Sequence, residues 1–280
     1  MAIADVLSPN LLDATTRLIV ESSRTALDWF RPGARPGRHS GAALTVDNKR
    51  TAGFDPVTEA DRAVERLIRD GLTDLFPGHA ITGEEFGVSG DGRYRWFIDP
   101  IDGTRAFVTG QPMWGTLVGL TVDGQPVAGW MHLPVLDETY IGLETGSHLV
   151  LATDATGRRA TVPLATTATT ALSDAMLLCT HPSMFAPGPE LQRFEALGEQ
   201  VRMVRFGGDC MNYGLLASGD ADIVVENQLQ TYDILPLIPV INGAGGVVTD
   251  LQGEVPVAGG YVVAAATPEL HAAALAILGA

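Results

Sequence analysis

Apolar residues recur at helical spacing near the start of the chain. Leu12, Leu18, Ile19, Ala26 and Trp29 mark one face of a helix predicted over residues 10–30. The run Arg31-Pro-Gly-Ala-Arg-Pro-Gly ends it with repeated breakers. Asp47-Asn48-Lys49-Arg50 follows a short apolar run and reads as a turn or loop. A second helical face runs through Ala60, Val64, Leu67, Ile68, Leu72 and Leu75, and Phe76-Pro77-Gly78 stops it. Thr58 with Asp61 three residues on has the form of a capping box at its start, so Asp61 reads as a cap. The period then changes. His79 to Thr82 is a short strand, and Trp96 to Ile98 closes a buried one. Residues 115–152 read as a β-meander with a hairpin signal at Asp123-Gly124. His132 and His148 fall on its strands without partners at metal spacing, and read as packing or surface residues.

Residues 153–172 are Thr/Ala-rich and lack periodicity, which divides one unit into halves at 1–170 and 171–280. The second half alternates strand and helix, the signature of an α/β arrangement. Ala175 to Thr180, Val201 to Phe206, Ala221 to Val225, Val247 to Thr249 and Tyr261 to Ala266 are its predicted strands. Helices are predicted over 188–198, Met211 to Ser218 and Pro268 to Leu278. Another begins at Thr231 and contains Pro236, which fits a first turn, and Pro239, which should kink or tighten it.

Composition bounds the function. The 280 residues are 46% hydrophobic and 18% charged, an ordinary globular balance. No apolar run reaches the roughly 18–20 residues of a membrane helix. Met1 to Asp5 lacks the basic flank and apolar core of a secretory signal. Cys179 and Cys210 form neither a disulfide framework nor a zinc spacing, so a cytoplasmic setting is the default expectation. The net charge of −15 argues against nucleic acid or an anionic membrane as partner.

The candidate chemistry centres on Asp99-Pro100-Ile101-Asp102-Gly103-Thr104. Two carboxylates stand three residues apart on a turn whose Pro100 fixes one φ and whose Gly103 lets the backbone bend. Such a pair invites a divalent cation, and a helix beginning at Thr104 would face an anion with its free N–H groups. A bound cation would also resolve the repulsion between an acidic protein and a phosphate. Asp55 precedes Pro56 outside the second helix, free to reach a site. Glu84 and Glu85 follow a strand between glycines; one can point toward Asp99 while the other is solvated. Glu226 ends a short strand, and Asp209 follows a glycine pair that opens a helix.

Asp55-Pro-Val-Thr-Glu-Ala-Asp61, Gly83-Glu84-Glu85, Asp99-Pro-Ile-Asp-Gly-Thr104, and Tyr232-Asp233 followed by Gly243-Ala-Gly-Gly246 occur in this order. With them the chain resembles the inositol-monophosphatase superfamily of Mg²⁺-dependent, lithium-sensitive phosphatases, over nearly its whole length. The stretch Asp99 to Gly115 and Gly207-Gly208-Asp209-Cys210 look most like the histidinol-phosphate phosphatase branch. The resemblance implies a layered αβαβα sandwich of the inositol monophosphatase and fructose-1,6-bisphosphatase type, commonly a homodimer. It implies two or three Mg²⁺ ions. Glu84, Asp99 and the Ile101 carbonyl would hold one, and Asp99, Asp102 and Asp233 a second. Thr104 with Asp55 would orient the attacking water, which Glu84 helps deprotonate, and the Gly103 and Thr104 N–H groups would hold phosphate. Lys49 lies near a position where relatives place a lysine.

Specificity would come from Asp209 and Glu226. Two carboxylates opposite the phosphate suit histidinol phosphate, with its ammonium and partly protonated imidazole. They also accept the hydroxyls of an inositol or a sugar. Asp209 reads equally as an N-cap for the helix after Cys210, and Cys210 as a small buried residue rather than a nucleophile. The sequence departs from the branch pattern at Met211-Asn212 and at Asn227 to Gln230, near the expected pocket. The expected activity is Mg²⁺-dependent hydrolysis of a small phosphate monoester, first choice L-histidinol phosphate. An inositol or sugar monophosphatase is the alternative. A nucleotidase acting on bisphosphorylated nucleotides is disfavoured because the chain carries no extra basic cluster for a second phosphate, and a silent metal- and phosphate-binding regulator would not need the full carboxylate set.

Overall fold

The structure, a computed structural model, describes residues 6–31, 59–152 and 158–279, with the backbone of 47–48 and 56–57. Strand β1 (Asp47–Asn48) pairs antiparallel with β2 (Pro56–Val57), so the expected turn at Asp47-Asn48 is instead half of a two-residue ladder. Asp55, Lys49 and Thr58 lie outside the described residues.

The larger sheet contains β3 (Ala80–Gly83), β4 (Gly87–Ser89), β5 (Tyr94–Asp102), β6 (Gly115–Val122), β7 (Gln125–Leu133), β8 (Glu138–Leu143), β9 (Gly146–Val150) and β10 (Thr161–Pro163). Their order is β10-β9-β8-β7-β6-β5-β3-β4, with only β3 and β5 parallel. The β6–β7 hairpin turns at Asp123 (φ 52°) and Gly124 (φ 82°), two left-handed residues that match the twist of the strands they join. The second sheet holds β11 (Met176–Cys179), β12 (Met203–Phe206), β13 (Ile223–Leu229), β14 (Val247–Thr249) and β15 (Gly260–Ala265) in the order β12-β11-β13-β15-β14. Parallel pairing joins β12, β11 and β13, whereas β15 runs antiparallel to both its neighbours.

The described α-helices are α1 (Pro9–Arg24), α2 (Glu59–Leu75), α3 (Thr104–Thr109), α4 (Pro189–Gly198), α5 (Met211–Ala217), α6 (Thr231–Ile234), α7 (Leu237–Gly243) and α8 (Pro268–Leu278), with short 3₁₀ turns between some of them. The predicted first helix is shorter than its pattern, because the chain tightens into a 3₁₀ turn at Thr25–Asp28. The helix predicted from Thr231 is two, broken at Leu235-Pro236. Pro239 falls in the first turn of α7, where its missing N–H costs no helical bond, so it makes no kink. Strand β13 runs four residues beyond its predicted end at Val225, through Leu229, with Glu226 inside it and an irregularity after it.

Strand alternation sorts the side chains into three cores. On β6 and β7, Val118, Leu120, Ala128 and Trp130 face α1 and α2, while Leu117, Met131 and Leu133 face α5, α6 and α7. On β13, Val224 joins that middle core, whereas Ile223 and Val225 face α4 and α8. The result is the layered αβαβα sandwich that the resemblance implied.

The middle layer meets the large sheet through glycines. Gly119, Gly129 and Gly142 are register partners across β6, β7 and β8. A Cβ on Gly129 would overlap the Pro236 carbonyl, and one on Gly142 would overlap the backbone of Pro239 and Val240. The row is therefore a shallow trough into which the α6–α7 break settles, backbone against backbone. The Ser147 hydroxyl donates to the Pro239 carbonyl (3.2 Å) at its edge.

His132 is fully buried on β7, its Nδ1 paired with the Thr139 hydroxyl at 2.9 Å. Burial pushes its pKa down to about 4; Asp137 opposes this, and Arg24 and Arg159 add to it. The folded state thus refuses a proton that the unfolded chain accepts near 6.5. Stability is complete above that value and falls as the pH drops from about 6.5 to about 4, by about 3 kcal/mol at 1.36 kcal/mol per pH unit. Urea unfolding at pH 7 and pH 4.5 should show a smaller fall for His132→Gln than for the wild type; equal falls would show that this histidine carries no such load.

Candidate active site

Residues three apart on a regular strand point to opposite faces. Asp99 and Asp102 escape this because β5 bulges between them: Asp99 pairs with Leu117 and Asp102 with Gly115, leaving Pro100 and Ile101 opposite the single residue Thr116. Pro100 tolerates the lost ladder bond, its carbonyl accepting from the Thr116 hydroxyl at 2.7 Å. Asp99 Oδ1 accepts the Ile101 N–H (3.1 Å), and the Thr104 hydroxyl donates to the Ile101 carbonyl (3.1 Å). Gly103, at φ 80°, makes the left-handed step from β5 into α3, and Thr104 opens that helix. The bulge thus turns both carboxylates into one pocket.

Asp233 arrives from the other half of the chain. It is the third residue of α6, where its Oδ2 accepts the Gln230 N–H (2.8 Å) in a capping box completed by the Gln230 side chain. Carboxylate oxygens of Asp99, Asp102 and Asp233 lie within 4.8 Å of one another. Burial raises Asp99 well above the usual carboxylate range, and Glu84, Asp102, Asp233 and Asp61 raise it further. Burial and then Asp102 likewise raise Asp233. Asp102 is raised by burial, although the thiol and N–H of Cys210 and the Gly103 N–H all stabilise its charge. The Cys210 N–H lies 2.6 Å from Asp102 Oδ2. Burial, followed by the Asp102 charge, pushes the Cys210 thiol far up, which excludes it as a nucleophile.

Glu84 lines the same pocket, while its oxygens also gather with those of Asp61 and Glu85 within 4.8 Å. Neither glutamate is the solvated one anticipated: the Glu85 side chain is buried and pairs with Arg62 Nε at 3.5 Å. Asp61, read as a cap, is buried beside this pair. A carboxylate one turn into a helix looks the same in sequence whether it caps or converges on a distant loop.

Asp209 sits at φ 47° after Gly207 and Gly208, which are also left-handed. Its side chain does not cap: α5 is entered through Cys210 with no side-chain cap bond, so of the two readings the capping one fails. The carboxyl approaches Gly103, where a Cβ would stand 3.1 Å from it. Burial raises its pKa to about 8, with Asp102 and Glu226 adding and Arg105 opposing. Glu226 Oε1 accepts from the Thr180 N–H (2.9 Å), the Thr180 hydroxyl (2.7 Å) and Asn212 Nδ2 (3.4 Å), and Oε2 from the Tyr213 hydroxyl (3.1 Å). Its pKa rises to about 7, chiefly through burial. Thr180 and Tyr213 are not legible in the sequence as its partners, since only β11 and α5 packing against β13 brings them there.

The pocket has a volume of about 360 Å³, the size of a small-molecule site. Six carboxylates (Glu84, Asp99, Asp102, Asp209, Glu226 and Asp233) and one arginine, Arg105, line it. Hard oxygen donors crowded to mutual repulsion fit Mg²⁺ or a similar cation, which would favour the ionised forms of Asp99, Asp102 and Asp233.

The profile of the inositol monophosphatase family matches residues 34–279. A chloroplastic bifunctional phosphatase, IMPL2, of Arabidopsis thaliana is 38% identical over 72% of this chain and 56% of its own length. A histidinol-phosphatase of Chlorobaculum parvum is 34% identical over 87% of this chain and 86% of that one. Among solved structures, an inositol monophosphatase from Zymomonas mobilis superposes with a TM-score of 0.80 at 32% identity, covering all of both chains.

Proposed function

The chain belongs to the inositol monophosphatase family and is a phosphoric monoester hydrolase, and from that premise we propose that it hydrolyses L-histidinol phosphate to L-histidinol and phosphate with Mg²⁺. The observation that carries the substrate is the position of Asp209 and Glu226, two buried carboxylates in the wall of the pocket that also contains Asp99, Asp102 and Asp233. The amine and imidazole of histidinol are the cationic groups such a wall would take, with the ester phosphate toward Gly103 and Thr104. A cytoplasmic setting and a homodimer belong to the same proposal.

Glu84, Asp99 and the Ile101 carbonyl would hold one ion, and Asp99, Asp102 and Asp233 a second. When bound, such ions neutralise phosphoryl charge and make water more acidic. The chain's own residues do the rest. Thr104, hydrogen-bonded to Ile101, orients the attacking water with Asp55, and Glu84 accepts its proton. The Gly103 and Thr104 N–H groups at the head of α3 hold the phosphate oxygens.

Phosphate release from L-histidinol phosphate, inositol 1-phosphate and a sugar monophosphate, each with Mg²⁺ or with EDTA, tests the reading. EDTA-sensitive release from histidinol phosphate at 10-fold or greater preference in kcat/KM, about 1.4 kcal/mol, is the expected result. Preference for the inositol ester would move the enzyme to the second reading, which the likeness to the Zymomonas mobilis structure favours. Glu226→Gln should raise KM for histidinol phosphate by about 10-fold, since one charge-assisted bond is worth roughly 1.5–3 kcal/mol. KM for the inositol ester should change little.

A further inference from the structure

Glu65 is a fully buried carboxylate that the chemistry above does not use. It lies on α2, one turn after Asp61. Both of its oxygens face the turn between β3 and β4. Oε2 accepts the Glu85 N–H at 2.6 Å, and Oε1 accepts the Phe86 N–H at 3.2 Å and Arg69 Nε at 2.7 Å. Arg69, one helical turn further on, donates to the Gly87 carbonyl and to the Ser89 hydroxyl (3.1 Å). Two side chains on successive turns of one helix thus grip the segment from Glu85 to Ser89. The Glu84 N–H is fixed from the other side, donating to the Ile98 carbonyl at 3.2 Å, next to Asp99. Gly83 belongs to the same arrangement, because a Cβ there would overlap the Glu65 carboxylate.

Three donors converge on two carboxylate oxygens, which a glutamine cannot match. Its single carbonyl oxygen would serve one side, and its NH₂ would meet an N–H on the other. The turn it would loosen is exposed at Phe86 and Val88, where the Arg66 guanidinium of the same helix lies over the Phe86 ring, 5.5 Å from its centroid.

We infer that Glu65, backed by Arg69, is the positioning residue for Glu84: it sets where that carboxylate stands relative to Asp99, and so sets the affinity of the ion they share. The inference rests on the reading of Glu84 as a metal ligand. Glu85 does not substitute for it, being paired with Arg62. A merely structural Glu65 would lower stability and leave ion binding by the folded protein unchanged.

Mn²⁺ uptake by the full chain, followed through loss of the aquo-ion EPR signal, separates these cases. Glu84→Gln should abolish one class of bound Mn²⁺. Glu65→Gln should weaken that same class by about 10–100-fold, the usual cost of removing a group that orients a ligand, and leave the class that depends on Asp102 and Asp233 unchanged. Activity lost at low Mg²⁺ should return at high Mg²⁺. If far-UV circular dichroism shows Glu65→Gln unfolded, Arg69→Gln, which keeps both Glu65 bonds to the turn, should shift the same class to a smaller degree. Wild-type Mn²⁺ affinity in the folded variant would overturn the inference. Wild-type binding by Glu84→Gln would instead remove its premise, the ligand reading itself.

Discussion

Asp99→Asn should lower kcat/KM by at least a thousandfold, about 4 kcal/mol of barrier, and at the same time make the metal-free protein more stable. The two effects share one origin. Asp99 is the carboxylate on which burial and four neighbouring acids all press in the same direction. A group whose folded pKa is raised destabilises the fold wherever it must ionise, so the deficit is present at neutral pH and shrinks as the pH falls. An amide at this position keeps an acceptor for the Ile101 N–H and removes the charge. In EDTA its melting temperature should exceed the wild type's, each kcal/mol being worth roughly 2 °C in a chain this long. With Mg²⁺ the order should reverse, because the wild type gains binding energy that the variant lacks. An asparagine variant that melts no higher than the wild type in EDTA would show that the carboxylates are not under the strain described. One that keeps its activity would remove Asp99 from the reaction.

Gly129→Ala is expected to cost at least about 3 kcal/mol, the upper part of the range for overpacking a core. The added methyl meets the carbonyl of Pro236, not the movable end of a side chain, so relief requires the α6–α7 segment to lift off the large sheet. Asp233 lies three residues before Pro236, so kcat should fall along with stability even in the molecules that remain folded. Gly198→Ala, at the end of α4, meets only Val204 Cγ2 at 3.3 Å and should stay within about 1 kcal/mol of the wild type. Urea unfolding with activity measured well below the midpoint checks both. A Gly129 variant as stable as Gly198→Ala would mean that the trough is looser than its backbone contacts imply.

Local signals carried much of the fold. Thr267 and Pro268 begin α8 where the sequence places it, with the Thr267 hydroxyl accepting the Leu270 N–H. Asp123-Gly124 makes its hairpin. The motif carboxylates could be picked out one by one because acids beside glycines and prolines are conspicuous. What stayed hidden depends on register and on distant packing. Nothing in the letters of Asp99 to Asp102 announces the bulge that turns both side chains to one face. Gly119, Gly129 and Gly142 look like three weak strand residues until the strands are aligned and become one trough. The break at Leu235-Pro236 falls where a proline cannot donate the bond that would continue the preceding helix, whereas Pro239 sits in a first turn where none is needed. Glu65 reads as one more polar residue on a helix until the turn it holds folds back over it.

The trough also bears on how the chain is made. A ribosome delivers residues in order, and the strands that form the trough are complete once Leu143 has emerged. The segment that fills it, Leu237–Gly243, follows roughly 100 residues later, which at about 5–20 residues per second is roughly 5–20 s. Until Met211–Ala217 has emerged Leu117, Met131 and Tyr140 have no covering layer, and the core they share closes only with Leu237–Gly243. A newly made first half is therefore a surface waiting for later segments of its own chain, and the order of synthesis leaves that face open until they arrive.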